Sequence, residues 1–485
     1  MKGFVLRLVV SGMMALLMVA VLPAVALAQD EPPTVEDIVL AVDTVWVIVA
    51  ALLVLFMQAG FAMLEVGFSR MKNVGSVVAK ILANMGIGLI AFWVAGFAIA
   101  FGTGNAIIGT EGWFTSAAPN QVNDVFAGIS ATDVPLSARF LFQVAFALVS
   151  LAIVWGTMLE RTKFAVYLIF AVIFAGLIYP TVGHWIWGGG WLSTLGMQDF
   201  AGSTVVHLQG AVAALAGTLL LGPRIGKYDE AGRPQTIPGH NMPLAVLGVI
   251  ILWIGWWGFN PGSTLKAVGA PFADIALTTN LAAGAGVLGA MLMSYIYRRN
   301  VDVGMAGNGA IAALVAITAA CAFVEPWASI VIGFLAGVIM YLVLLYVDKI
   351  GVDDPLGAIA AHGMGGIWGT LSTGLFAAPA LVESTGVGNP GLFYGGGFSQ
   401  LGIQALGILA AGGFTFITSY VVFAVLKATI GLRVKPEQEL NGLDISEHGV
   451  FGYAEQLVAT DPQDARNGGR TLPDPLEKTA GGTTS

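Results

Sequence analysis

The sequence predicts an all-α polytopic membrane protein of eleven transmembrane helices, a 5+5 inverted repeat followed by one long C-terminal helix. Three observations predict it. Hydrophobic residues make up 56% of the chain and charged residues 10%, where an ordinary soluble domain carries about 25% charged residues. The apolar residues fall in runs such as 42–67, 136–159 and 164–183, and runs of about 20 residues match the hydrocarbon core of a bilayer. The same Asp-to-His spacing opens the fifth and the tenth run: Asp199 precedes His207, and Asp354 precedes His362, by eight residues in each case.

The elements follow in order. Residues 1–28 read as a signal peptide. Lys2 and Arg7 form a basic start, 8–22 an apolar core, and Ala26-Leu27-Ala28 a small-residue cleavage site, so the mature chain is expected to begin at Gln29. Eleven spans follow, at 42–67, 74–101, 136–159, 164–188, 201–222, 243–260, 271–297, 303–323, 327–347, 355–377 and 399–430. They form a membrane domain over 29–431. The remainder, 432–485, is polar and reads as a cytoplasmic tail. Its end, 460–485, is rich in Gly, Pro, Asp and Thr and is expected to be disordered. One set of loops holds Arg70, Lys72, Arg161, Lys163, Arg224, Lys227, Arg233, Arg298, Arg299 and Lys349; the other holds Arg139 and Lys266. The positive-inside rule makes the first set cytoplasmic. The protein is thus expected in the cell membrane as a multi-pass chain, with its mature N-terminus outside and its C-terminus inside.

Composition also excludes classes. A net charge of −8 offers nothing to nucleic acid, and a single cysteine, Cys321, rules out an intrachain disulfide or a Cys-rich metal site. The 65 glycines suit close helix packing in lipid. No third ligand accompanies the histidines at a spacing that would hold a metal, and no nucleophile stands beside them. Neither an enzyme nor a cofactor site is expected.

Two units of five helices must have opposite orientation, because five is odd, and this is the inverted repeat common among transporters. Eight residues of helix rise about 12 Å, close to half of a core roughly 30 Å thick. His207 and His362 are therefore expected near the midplane, reached from opposite faces. A lone intramembrane histidine is most often a core residue bonded to a neighbouring carbonyl. Two at mirrored depth point instead to a pathway, since polar groups at the midplane are costly. Both aspartates suit helix N-caps, and Asp199, at the outer face, also suits a site that holds an entering cation.

Six blocks carry a resemblance: FMQAGFAMLEVGFSRMKN (56–73), LERTKF (159–164), GGGWLSTLGMQDFAGSTVVHLQG (188–210), GWWGFNPGS (255–263), DDPLGAIAAHGMGGIWGT (353–370) and GLRVKPEQELNGLDISEHG (431–449). In this order they resemble the ammonium transporter (Amt) family, over about 42–453. The resemblance implies ammonium or ammonia as substrate, nitrogen uptake as the role, and a homotrimer with one pore per subunit. It implies an outer site where Phe142, Trp187 and Ser263 meet the cation above Asp199. Phe146 and Phe259 match the stacked pair that closes the pore, and His207 and His362 the paired histidines that line it and relay protons. Without the resemblance, these aromatics read as ordinary core or interfacial residues. The tail of family members meets a PII-type signalling protein, but where the family usually has His-Gly-Glu this chain has His448-Gly449-Val450.

The resulting expectation is capture of ammonium at the aromatic site, loss of its proton, and electrogenic conduction of ammonia past the two histidines. An ammonium sensor that signals through its C-terminal tail is the other reading; it needs an output domain, which the polar tail does not contain. The topology is testable with Ser116→Cys in an outer loop and Thr236→Cys in an inner loop, each on a Cys321→Ala background. An impermeant thiol reagent on intact cells should label the first and spare the second. The reverse pattern would invert the orientation.

Overall fold

The computed structural model describes residues 32–453. The expected signal peptide and the expected disordered end of the tail lie outside the described residues. Among the described residues ten helices are long and apolar enough to cross a membrane: α1 (Val35–Phe68), α2 (Met71–Phe101), α3 (Leu136–Gly156), α4 (Phe164–Thr194), α5 (Ser203–Leu221), α6 (Met242–Thr264), α7 (Phe272–Arg298), α8 (Val303–Ala320), α9 (Pro326–Lys349) and α11 (Ser399–Thr429); α10 (Ile359–Phe376) makes the eleventh span when taken together with the short helix that follows it. After α10 the chain bends by 108° into the short helix Pro379–Thr385. No strand occurs among the described residues.

Local chemistry explains where the helices start. α1 begins seven residues before its apolar run because Thr34 and Asp37 form a capping box. Thr34 Oγ1 accepts from the Asp37 N–H at 3.1 Å, and the Asp37 carboxylate accepts from the Thr34 N–H at 2.9 Å. α10 begins later than expected. Gly357 takes a left-handed φ of 74°, and the resulting turn folds Asp354 back onto the first helical N–H groups.

The helices sort into an inner and an outer set. The most apolar stretches of α3, α5 and α8 are 83%, 78% and 78% buried, against 22% for α1 and α11. The inner helices therefore pack on protein all round, while α1 and α11 leave apolar side chains facing outward, as lipid requires. Small residues set the close approaches. A Cβ on Gly286 of α7 would stand 2.4 Å from the Gly309 carbonyl of α8, so only glycine allows that contact.

α5 and α10 cross antiparallel at the centre. Thr204, early in α5, bonds Thr370, late in α10, at 2.7 Å, while a Cβ on Gly363, early in α10, would face Ala211, later in α5. This is the crossing that an inverted repeat produces. Both helices open with a π-helical turn, over Ser203–Leu208 and Ile359–Met364. Two more π turns interrupt α2 at Phe92–Gly96 and α4 at Phe174–Ile178. In α4 the turn precedes Pro180, which has no N–H to give. The two turns pack together: a Cβ on Gly96 would lie 2.5 Å from the Ala175 carbonyl.

The first part of the tail is ordered against one end of the bundle, here called the tail face. It forms α12 (Pro436–Asn441) and α13 (Leu443–His448). Asp444 accepts from the Ser76 N–H at 2.9 Å, the Leu443 N–H donates to Asn73 Oδ1 at 2.9 Å, and Glu447 accepts from the Phe164 N–H at 2.9 Å. The Glu439 carboxylate accepts from Arg433 and from the Ile225 N–H at 2.7 Å. These bonds tie the tail to the loops after α1, α3 and α5.

Those loops are joined by a buried ion network. Arg224 grips Asp353 with two bonds of 2.9 Å, and Arg70 Nε donates to Glu160 at 2.7 Å. Burial alone would raise the Glu160 carboxyl, but Arg224 and Arg70 outweigh it and hold it below the usual value. Asp353 is held down in the same way by Arg224 and Arg161 against its burial. Arg161, fully buried, is pushed down to about 10 by desolvation. Removing one partner of such a network strands a buried charge. Asp353→Ala should therefore destabilise the protein by about 3–5 kcal/mol, read as a lowered thermal unfolding midpoint in detergent. An unchanged midpoint would show that the network is only decorative.

Candidate functional site

The site is built where α4 ends and α5 begins. Asp199 lies in the turn between them, and its carboxylate accepts from the Gly202 N–H at 3.1 Å and from the Thr204 and Val205 N–H groups at 3.0 Å each. These donors have no partner within the helix, so the carboxylate starts α5. Gly202 permits the turn with φ 113°, and a Cβ there would stand 3.0 Å from the Trp187 ring. Trp187 is fixed in turn by its indole N–H, which donates to the Asp199 backbone carbonyl at 2.7 Å. One carboxylate therefore caps a helix and carries the turn on which an aromatic ring is hung.

A cavity of about 510 Å³ opens at the face opposite the tail, and Phe142, Phe146, Trp187, Asp199 and Ser263 all line it. The Ser263 hydroxyl donates to the Phe259 carbonyl at 2.8 Å, which leaves its oxygen free to accept. Beneath this vestibule the rings close up. Phe142 and Phe146 have centroids 4.6 Å apart, and Phe146 and Phe259 4.1 Å. Phe146 and Phe259 are almost fully buried, so nothing passes without ring movement.

Below Phe259 lies His207, stacked on it at 5.4 Å and on Trp256 at the same distance. His207 and His362 meet through their Nδ1 atoms at 3.2 Å. Such a bond needs one ring as donor and the other as acceptor, so the pair shares one proton. His207 Nε2 has no hydrogen-bond partner among the described residues. A smaller cavity of about 20 Å³ follows towards the tail face, lined by His362, Glu65, Asn308 and apolar side chains. Vestibule, phenylalanine pair, histidine pair and small cavity thus lie in series.

All eight residues singled out in the sequence fall in this series, and each carboxylate opens its helix. Asp354 accepts from the Ala358 and Ile359 N–H groups at 2.9 and 2.7 Å. The depth argument changes. Helical rise before each histidine begins only at Ser203 and Ile359, which gives about 6 Å and 4.5 Å rather than 12 Å. The sequence reading missed Trp256, whose ring flanks His207 and whose indole donates to Thr318 at 2.9 Å. Its spacing of three from Phe259 places both on one helix face. Among the described residues, no cluster of three or more metal-ligating side chains occurs.

The comparisons bear on this geometry. The sequence profile of the Ammonium Transporter Family matches residues 45–453. The chain belongs to that family. It is 44% identical to the ammonium transporter Amt2 of Archaeoglobus fulgidus, over 91% of this chain and 95% of the relative. It is 38% identical to an ammonium transporter of Bacillus subtilis, over 86% and 99%. Among solved structures, one described as a sensor Amt protein superposes with TM-score 0.78 at 36% identity, covering 85% of this chain and all of that one. Candida albicans Mep2 superposes with TM-score 0.76 at 28% identity, over 89% and 93%. The protein is a membrane-spanning ammonium transporter of all-helical fold, and the family consists of transporters, not enzymes.

If the Asp199 carboxylate starts α5, Asp199→Ala should lower stability by about 0.5–2 kcal/mol, the usual worth of an N-cap. Asp199→Asn keeps an acceptor oxygen and should lose less. Thermal unfolding of the purified protein reads both; equal midpoints for wild type and Asp199→Ala would remove the capping role.

Proposed function

We propose that ammonium is captured in the vestibule by Phe142, Trp187 and Ser263 above Asp199, loses its proton, and crosses as ammonia past Phe146, Phe259, His207 and His362. The observation that carries this reading is the pair of imidazoles bonded Nδ1 to Nδ1 at 3.2 Å directly beneath a closed aromatic constriction. Ammonium and potassium share charge and approximate size, so selectivity must use the N–H donors and the removable proton. The Trp187 and Phe142 faces attract the cation, and the free lone pairs of Ser263 accept from it. An ion at the bilayer centre costs from about 3 to more than 10 kcal/mol, whereas ammonia carries no such charge penalty. The paired imidazoles supply alternating donor and acceptor positions and can pass a proton between them; the family resemblance supports electrogenic transport.

The vestibule is proposed to face outward and the tail face the cytoplasm, on the strength of the Lys and Arg residues gathered in the loops of the tail face. A homotrimer follows from the family resemblance. α1 carries an exposed apolar stripe for subunit or lipid contact, with Ile38, Val42, Val45, Val49, Leu52 and Phe56 at helical spacing. A PII-type protein at the tail face remains a proposal of the same origin. Val450, at the departure from the family pattern, is exposed, so it leaves the contacts of α12 and α13 intact. Sensing through the tail is the weaker reading: the described tail is bound to the loops and forms no domain of its own.

Ammonium- and potassium-evoked currents in proteoliposomes test the mechanism. His207→Ala should reduce the ammonium current. His207→Asp, where it stays ionised, should admit potassium, because an unpaired carboxylate stabilises any cation. Desolvation favours the neutral acid, so the currents are read across a pH scan. Retained ammonium selectivity in folded His207→Asp protein throughout the scan would take selectivity away from the histidines.

A further inference from the structure

Two buried charges lie towards the tail-side ends of α1 and α2 and have no part in the pathway so far. Glu65 in α1 and Lys80 in α2 form an ion pair, and each side chain is 1% exposed. Charged residues in membrane helices are rare and mark pathways by default. The pair is incompletely satisfied. One oxygen, Glu65 Oε2, takes the Lys80 ammonium, while Glu65 Oε1 is buried without a hydrogen-bond partner among the described residues. Lys80 otherwise rests against the Tyr167 ring, 5.6 Å from its centroid.

Glu65 also lines the small cavity directly below His362, together with Asn308. Its volume of about 20 Å³ suits a single water, since one needs roughly 10–15 Å³ and two to four polar partners. His362, Glu65 and Asn308 are the polar residues that border it. A water there would lie in a space shared by His362 and Glu65, and Glu65 Oε1, which is closed off in the resting conformation, would reach it by a turn of the carboxylate.

We propose that the Glu65–Lys80 pair is a proton station at the tail-side end of the pore, reached from His362 through one water. The inference rests on the deprotonation mechanism above and extends it by giving the removed proton a destination. In this step ammonium loses a proton to His207 and becomes ammonia. His207 passes its Nδ1 proton to His362, and His362 gives a proton to the water. The water gives one of its own to Glu65 Oε1 and is regenerated. Only N–H and O–H bonds form and break. The carboxylate becomes a carboxylic acid while Lys80 remains an ammonium, so the pair goes from net zero to one positive charge until Glu65 releases its proton on the tail side. Both rings end in the opposite neutral tautomer and must reorient before the next proton. Lys80 has a second effect. A lone carboxylate beside the pore would stabilise any cation, potassium included; paired with Lys80 it presents no net charge.

The competing account is a structural staple between α1 and α2, and the test separates the two. Glu65→Gln/Lys80→Met removes both charges and strands neither, a change that buried ion pairs often tolerate without loss of stability. In proteoliposomes, the ammonium-evoked current of this variant should fall about a hundredfold, the lower end of what a positioned proton-transfer group contributes. Glu65→Asp keeps the carboxylate and should restore measurable current with a shifted pH profile. A double variant with undiminished current would overturn the station and leave the mechanism standing. Wild-type protein without any ammonium-evoked current would instead sink the mechanism itself. Infrared difference spectra on ammonium addition give a reading on the unmutated protein: a carboxylic-acid C=O band should appear in wild type and move in Glu65→Asp. Its absence would equally overturn the proposal.

Discussion

Inside a bilayer a polar group has no water to fall back on, and every donor and acceptor must find its partner in the protein. Much of the molecule follows from this constraint. The Asp199 and Asp354 carboxylates take up N–H groups that open α5 and α10, the two helices that bring the histidines together. Ser150 donates to the Val206 carbonyl at 2.8 Å and Ser203 to the Val315 carbonyl at 2.7 Å. Both oxygens belong to helices whose regular ladder is interrupted or closely crossed. The exceptions include His207 Nε2 and Glu65 Oε1, with Gln58 Nε2 and Oε1, Gln209 Oε1 and Asn260 Oδ1 among the other buried atoms left unpaired.

The pore is therefore defined as much by what is satisfied as by what is not. Trp187 and Ser263 spend their own protons on backbone carbonyls. What they offer the vestibule is a π face and a lone pair, both suited to a cation. Farther in, aromatic rings close up above the imidazoles, and the polar atoms directly beneath them are the ring nitrogens of His207 and His362. Both halves of the repeat contribute to this line: α3, α4 and α5 supply Phe142, Phe146, Trp187 and one histidine, while α6 and α10 supply Trp256, Phe259, the other histidine and the threonine that bonds α5.

Much of this was legible in the sequence because it depends on local pattern. Apolar length gave the spans, and equal Asp-to-His spacing tied α5 to α10 before any contact was known. The start of α1 was also legible, since Thr34 and Asp37 stand at capping-box spacing, yet hydropathy alone drew the boundary at 42. The π turns were not legible. Only the one before Pro180 has a local cause, and the others arise where helices cross. The Nδ1 bond and the face that Trp256 presents are tertiary facts. Glu65 lies in plain view near the end of its apolar run, and Lys80 early in the next, but nothing in either run says that they meet. The profile match and the related transporters support the family and the helical fold; the roles of individual residues rest on the geometry.

The clamp at the tail face has a consequence for how the protein is made. Asn73 and Ser76 sit in the first turns of α2, just after the first loop of the bundle, and their partners, Leu443 and Asp444, are about 370 residues farther along the chain. The first helical hairpin therefore enters the membrane early in synthesis with its loop unfinished. It reaches its final form only when nearly the whole polypeptide has left the ribosome. A chain cut short by a premature stop would keep every pore residue but leave that loop open. A full-length subunit therefore differs at its tail face from one that ends before Leu443.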